Sequence, residues 1–146
     1  IGSVVGGGKR LGAELKKRFL DNNPSLKTLR DRVSQAAKRG YLKGLDGRKI
    51  FIRNEHAALN SLLQGGGAIV MKRALVRLYA LIKLNALDAR FVANIHDEWQ
   101  LEVHEDVAEH VGQLAVKCIE EAGDYYNMRC PLTGQYKIGD SWNETH

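Results

Sequence analysis

Arg90-Phe91-Val92-Ala93-Asn94-Ile95-His96-Asp97-Glu98-Trp99-Gln100-Leu101-Glu102-Val103 is the stretch on which the fold turns. Its first half, Arg90 to Ile95, is an apolar run of strand length. Its second half, Trp99 to Val103, alternates apolar and polar residues at the period of a half-buried strand. His96, Asp97 and Glu98 therefore stand at the tip of a hairpin. The two carboxylates there, with an imidazole beside them, can hold a hard divalent cation next to a phosphate.

Outward from this hairpin the chain reads as helices and one more hairpin. Glu105 to about Ala122 is predicted as a helix, with Val107, Val111, Leu114 and Ile119 on its core face. Tyr136-Lys137-Ile138-Gly139 is predicted as a short edge strand. Upstream, a long helix is expected from about Glu55 to Leu84. Before it, Tyr41 to Ile52 has the pattern of a hairpin with Asp46-Gly47 in its turn. Lys9 to Leu20 forms a first helix with Leu11, Leu15 and Phe19 on one face. Asn23-Pro24 starts a second, with Asn as N-cap and Pro in the first turn, and Gly40 closes it. The pattern is α+β: a small antiparallel sheet with a catalytic-looking hairpin, backed by long helices.

With 146 residues the chain is long enough for a domain with a real core. Its apolar runs are too short to span a membrane. Ile1-Gly2-Ser3 does not open a secretory signal, and Cys118 and Cys130 lack zinc-ligand spacing, so reduced thiols in a cytoplasm are expected. Charge is segregated. Residues 1–90 carry 19 Lys/Arg against 6 Asp/Glu, whereas residues 91–146 carry 3 against 11. A basic part suits a polyanion and an acidic part suits metal-binding carboxylates, although two solvated surfaces would give the same counts.

His56, Asn60 and Gln64 are spaced i, i+4, i+8 on the expected long helix and would form one polar line. Gly65-Gly66-Gly67 follows at once. Each glycine costs a helix about 1 kcal/mol relative to alanine, so three need a reason. Either the helix breaks there, or another backbone, such as nucleic acid, comes close. Amide and imidazole donors on that line suit the acceptors that every base pair presents in the minor groove, which can be read without reading sequence.

Two other patterns fail. Gly6-Gly7-Gly8-Lys9 has Ser3 where a phosphate-binding loop needs glycine, and Arg10 where it needs Ser or Thr. His96-Asp97 lies between strands, unlike the helical ligands of His-Asp phosphohydrolases.

The order and spacing of His56-Ala-Ala-Leu-Asn60-Ser-Leu-Leu-Gln64-Gly65, preceded by Leu45-Asp46-Gly47-Arg48-Lys49 and followed by His96-Asp97-Glu98, resembles the family A (DNA polymerase I-like) DNA polymerases. The closest likeness is to the phage replicative branch, where His often stands in place of Arg at position 56. The ending Trp142-Asn143-Glu144-Thr145-His146 also looks like the family's. The resemblance covers essentially the whole chain. It implies that residues 1–40 are the end of the fingers, two helices. Residues 41–146 would then be the C-terminal part of the palm: hairpin, long helix, His-Asp-Glu hairpin, helix and tail.

The resemblance also implies roles. Asp97 corresponds to the second metal-binding aspartate, Glu98 to its supporting neighbour at the metal, and His96 to a contact with the primer's terminal nucleotide. Asn60 and Gln64 would donate to the minor groove, His56 would stand at the basic contact, and Arg48 and Lys49 would meet phosphates. The cofactor would be Mg²⁺ in a two-metal site, and the partners primer–template DNA and dNTP, in a cytoplasm (the host's, if phage-encoded).

The family's first catalytic Asp, and the Lys and Tyr of the fingers helix that ends just before a segment like Ile1-Gly2-Ser3-Val4-Val5-Gly6, are outside this sequence. The expectation is therefore an incomplete polymerase domain. It would be inactive alone and active with an upstream polymerase polypeptide, either as a fragment of one chain or as half of a split enzyme. The rival expectation is a non-catalytic duplex-binding or assembly subunit of a replication complex.

Overall fold

A computed structural model describes residues 6–146; Ile1 to Val5, part of the segment compared with the end of the fingers helix, lie outside the described residues. The chain forms two compact units, and the boundary between them falls within one helix, between Leu62 and Leu63.

The first unit begins with α1 (Gly8–Asn22) and α2 (Pro24–Ala37). Pro24 takes the first turn of α2, as its fixed φ and missing N–H favour. Asn23 does not act as the expected side-chain N-cap: its amide donates back to the Phe19 carbonyl at 2.7 Å and so closes α1 instead. Leu11 and Leu15 are half-buried but Phe19 is exposed, so the apolar face of α1 is only partly used. Gly40, at φ +80°, ends α2 by donating to the Ala37 carbonyl.

The expected hairpin follows as β1 (Tyr41–Lys43) and β2 (Lys49–Phe51), paired antiparallel, with Gly47 at φ +86° in the turn. Its core joins Val33 and Ala37 of α2, Leu42 of β1 and Ala58, with Ile50, Ile52, Leu59 and Leu62 packed against them.

The long helix α3 is Ala58–Leu84, and Glu55–Ala57 is a separate 3₁₀ turn capped by the Asn54 side chain. The helix runs unbroken through Gly65-Gly66-Gly67. Among the described residues an added Cβ at Gly66 or Gly67 would meet nothing within 4 Å, so their packing does not account for either glycine.

In the second unit, Val70, Ala74, Leu78 and Ile82 recur every four residues along α3 and form one buried stripe. They pack with Ala89 and with Val111, Cys118 and Ala122 of α4 (Glu105–Tyr125). Leu78 is fully buried. His104 caps α4: its imidazole Nδ1 accepts from the Asp106 amide at 3.4 Å.

The decisive stretch forms β3 (Ala89–Ile95) and β4 (Glu98–Val103), paired antiparallel from Ala89↔Val103 to Ile95↔Glu98. The register shifts between Phe91 and Ala93, so Val92 is the extra residue of a bulge and is exposed. Each hairpin is its own two-stranded sheet.

Tyr136–Gly139 is not a strand, contrary to the expectation from its composition. The tail lies along α4 instead. The Tyr136 ring sits where a side chain at position 112 would be, since a Cβ added to Gly112 would come within 2.4 Å of it, and its hydroxyl donates to Glu109. The chain ends in the short helix α5 (Trp142–Thr145). Among the described residues, no helix is long and apolar enough to cross a membrane.

Candidate functional site

Strand alternation sorts the residues of β4. Trp99, Leu101 and Val103 turn toward the core, and Trp99 meets Phe91 edge to face with ring centroids 6.3 Å apart. The Trp99 indole nitrogen is buried without a partner among the described residues. Glu98 and Gln100 point to the opposite face, as period two requires.

There they meet the end of the chain. Glu98 Oε1 accepts from Gln100 Nε2 and, at 3.2 Å, from Trp142 Nε1. Glu98 Oε2 lies 3.0 Å from His146 Nδ1. Thr145 Oγ1 reaches Gln100 Oε1 at 3.3 Å. These bonds hold the Glu98 carboxyl below the usual carboxylate range, the one from Gln100 first and the contact with His146 next.

His96 and Asp97 form the two-residue connection. His96 has φ +55°, an unfavourable backbone for a residue with a Cβ, which costs on the order of 1–3 kcal/mol. Asp97 is exposed. Among the described residues no hydrogen bond or ion pair engages its carboxylate; the polar contacts at the tip go to Glu98. The hairpin thus brings the three predicted residues together with different environments: an imidazole on a strained backbone, a carboxylate without a partner among the described residues and an anchored carboxylate.

The polar line is partly as expected. Asn60 and Gln64 are exposed and one turn apart on α3, next to the open glycine face. His56 is also exposed but belongs to the 3₁₀ turn, its amide donating to Asn54 Oδ1 at 2.9 Å. A 3₁₀ turn advances at three residues per turn, so the i, i+4 alignment of His56 with Asn60 does not carry through it. Arg48 pairs with Asp46, two residues before it, and Lys49 lies over the Tyr41 ring, 4.6 Å from its centroid. Both are exposed and reach solvent.

Chemically, one exposed carboxylate can share a hard cation but cannot enclose one. Among the described residues no group of three or more His, Cys, Asp or Glu side chains could hold a metal ion. Gln100, Trp142 and His146 have no local sequence signature of a site. Trp142 and His146 were visible only through the likeness of the ending Trp142–His146.

A sequence profile described as DNA polymerase family A matches residues 6–144. Over its full length the chain is 40% identical to a DNA-directed DNA polymerase of Escherichia phage Phieco32, of which the alignment covers 25%. It is 36% identical to the DNA-directed DNA polymerase of Escherichia phage T7, again over 100% of this chain and 24% of the relative. DNA polymerase I of Pseudomonas aeruginosa is 29% identical over 99% of this chain and 18% of its own length. The higher identity to the phage enzymes agrees with the phage-branch resemblance. Among solved structures, the POL domain of Pol1 from M. smegmatis, in complex with DNA primer-template and dNTP, matches 83% of this chain and 24% of its own. Its TM-score of 0.74 at 24% identity shows a shared fold. The chain spans about a quarter of the length of the phage relatives it matches. It belongs to DNA polymerase family A.

Proposed function

We propose that this chain is the C-terminal part of a template-directed DNA polymerase that adds dNTPs to a primer 3′ end by two-metal nucleotidyl transfer. It acts together with the polypeptide that corresponds to the rest of its relatives' length, whether joined to it or separate, and is inactive alone. The observation that carries this reading is the exposed Asp97 at a hairpin tip, next to a strained His96, in a member of this family.

Asp97 would hold one of the ions, and an Asp of the upstream polypeptide would complete the site. Bound Mg²⁺ would supply Lewis-acid charge at the attacking and leaving oxygens. His96 faces the primer terminus. Asn60 and Gln64 donate amide hydrogens to minor-groove acceptors near it, a check that a mispair fails because its acceptors move. His56 adds a donor from the 3₁₀ turn. Arg48 and Lys49 contact phosphate, Arg48 by exchanging Asp46 for the backbone anion. Residues 1–40 act as the end of the fingers and residues 41–146 as palm. The reaction takes place in a cytoplasm, that of the host where the chain is phage-encoded.

A feature of the second unit supports the partner. β3 pairs only with β4 among the described strands, so its other edge is open. A groove of about 440 Å³ runs beside it, lined by Tyr79, Ile82, Phe91 and Val92 among others. Val76, Tyr79, Leu84 and Val92 are each more than half exposed. An open edge beside exposed apolar side chains suits a strand of the upstream polypeptide.

Titration with Mn²⁺ tests the site. Weak binding by this chain, lost in Asp97→Asn and strengthened when the upstream polypeptide is added, is the expected result. Duplex affinity indifferent both to the metal and to Asp97 would instead favour the duplex-binding or assembly subunit.

A further inference from the structure

We propose that the C-terminal segment Trp142–His146 is a clamp on Glu98, and that His146 and Trp142 are positioning residues that fix the hairpin tip on which Asp97 is displayed. The inference rests on the polymerase reading only for what Asp97 does; the clamp stands on its own geometry.

The two-residue tip lies beyond the last strand pair of the hairpin, Ile95↔Glu98. Its first residue, His96, holds an unfavourable backbone, which persists only where the surroundings over-determine it. The core secures one face of β4 through Trp99 and Leu101. The other face depends on α5. Glu98 is the first paired residue after the turn, opposite Ile95, so fixing its side chain fixes the strand at the tip.

Both carboxylate oxygens of Glu98 are engaged, one by the Trp142 indole and Gln100 and the other by His146. The Trp142 and His146 rings meet edge to face at 5.9 Å and so brace each other. Thr145 on Gln100 and Lys137 Nζ on the His146 carbonyl, at 3.4 Å, tie the segment at two further points. A carboxylate has about four acceptor sites, and Glu98 spends most of them on the clamp. The adjacent acids are thereby divided: Asp97 is left for a cation and Glu98 anchors the turn.

The test uses the 146-residue chain labelled with ¹⁵N. Trp99 and Trp142 give two indole N–H signals, which Trp142→Phe assigns. In Glu98→Ala the Trp142 indole is expected to exchange with water about tenfold faster, the size of one lost charge-assisted hydrogen bond. Glu98→Gln keeps an acceptor and is expected to retain much of the protection. A chain ending at Ser141, and His146→Ala, are expected to speed amide exchange at Ile95 and Glu98, and His146→Gln, which keeps a donor, to restore it. The Trp99 indole and far-UV dichroism report that each variant is folded. A Trp142 indole that exchanges equally in wild type, Glu98→Ala and Glu98→Gln overturns the clamp. So does a tip whose exchange is unchanged in the chain ending at Ser141. Joined with the upstream polypeptide, His146→Ala is expected to lower kcat with little change in KM for dNTP. An intact clamp in a chain that supports no synthesis in any mixture would overturn the polymerase reading and leave the clamp established.

Discussion

Gly66→Ala separates what the helix prefers from what its surface is for. Position 66 lies inside α3, and an added Cβ there meets no atom of the described residues within 4 Å. The described residues therefore impose no steric cost, and the expected gain is the intrinsic preference of a helix for alanine, about 1 kcal/mol. Urea unfolding followed by dichroism should show a higher midpoint at unchanged slope. The same methyl group would intrude on any nucleic-acid backbone that uses this face. An overpacking cost of about 1–3 kcal/mol there corresponds to roughly 5–150-fold weaker binding. Fluorescence anisotropy of a labelled primer–template, with the upstream polypeptide present, reads that loss. A variant that is more stable and binds DNA as well as wild type would refute the reasoning that these glycines keep the face clear for DNA. A variant that is less stable would refute the open face itself.

Other substitutions and conditions give equally definite outcomes. Leu78→Ala removes a fully buried side chain and should destabilise the second unit by about 2–5 kcal/mol in denaturant titration. The Tyr136–Glu109 contact should hold the tail only in a middle pH window. The Tyr136 hydroxyl bond depresses the Glu109 carboxyl, so its contribution is present above the unfolded carboxylate range and is lost as pH falls through the lower folded value. The same bond raises the Tyr136 phenol, so its contribution is present below the ordinary phenol value and is lost as pH rises through the higher folded one. Limited proteolysis between Met128 and Asp140 should therefore quicken at both extremes, and Tyr136→Phe should flatten the profile. Cys130, exposed, should react with a thiol reagent in the native chain, whereas Cys118, buried and with its thiol pushed up by that burial, should react only on unfolding.

Local signals carried much of this fold. The alternation from Trp99 to Val103, Pro24 opening α2 and Gly40 ending it all act through near neighbours, and each is where the sequence placed it. What was illegible depends on partners distant in sequence or on a competing local bond. Tyr136–Gly139 has strand composition, but Gly112 offers Tyr136 a flat seat on α4 and the tail follows it. Asn23 has the side chain of an N-cap for α2, but its amide donates to the Phe19 carbonyl instead. The bulge at Val92 breaks a run that reads as uniform. At the site, His96, Asp97 and Glu98 were found by adjacency, but the difference between the two acids was not. That difference comes from Trp142 and His146, more than 40 residues away, whose role no spacing rule predicts.

Primer extension tests the central claim most directly. A primed template, Mg²⁺ and four dNTPs would be given this chain alone, the upstream polypeptide alone, both together, and both with Asp97→Ala. Synthesis confined to the mixture and abolished by Asp97→Ala is the predicted result. A mixture that assembles and binds the primed template, yet extends no primer, would contradict it.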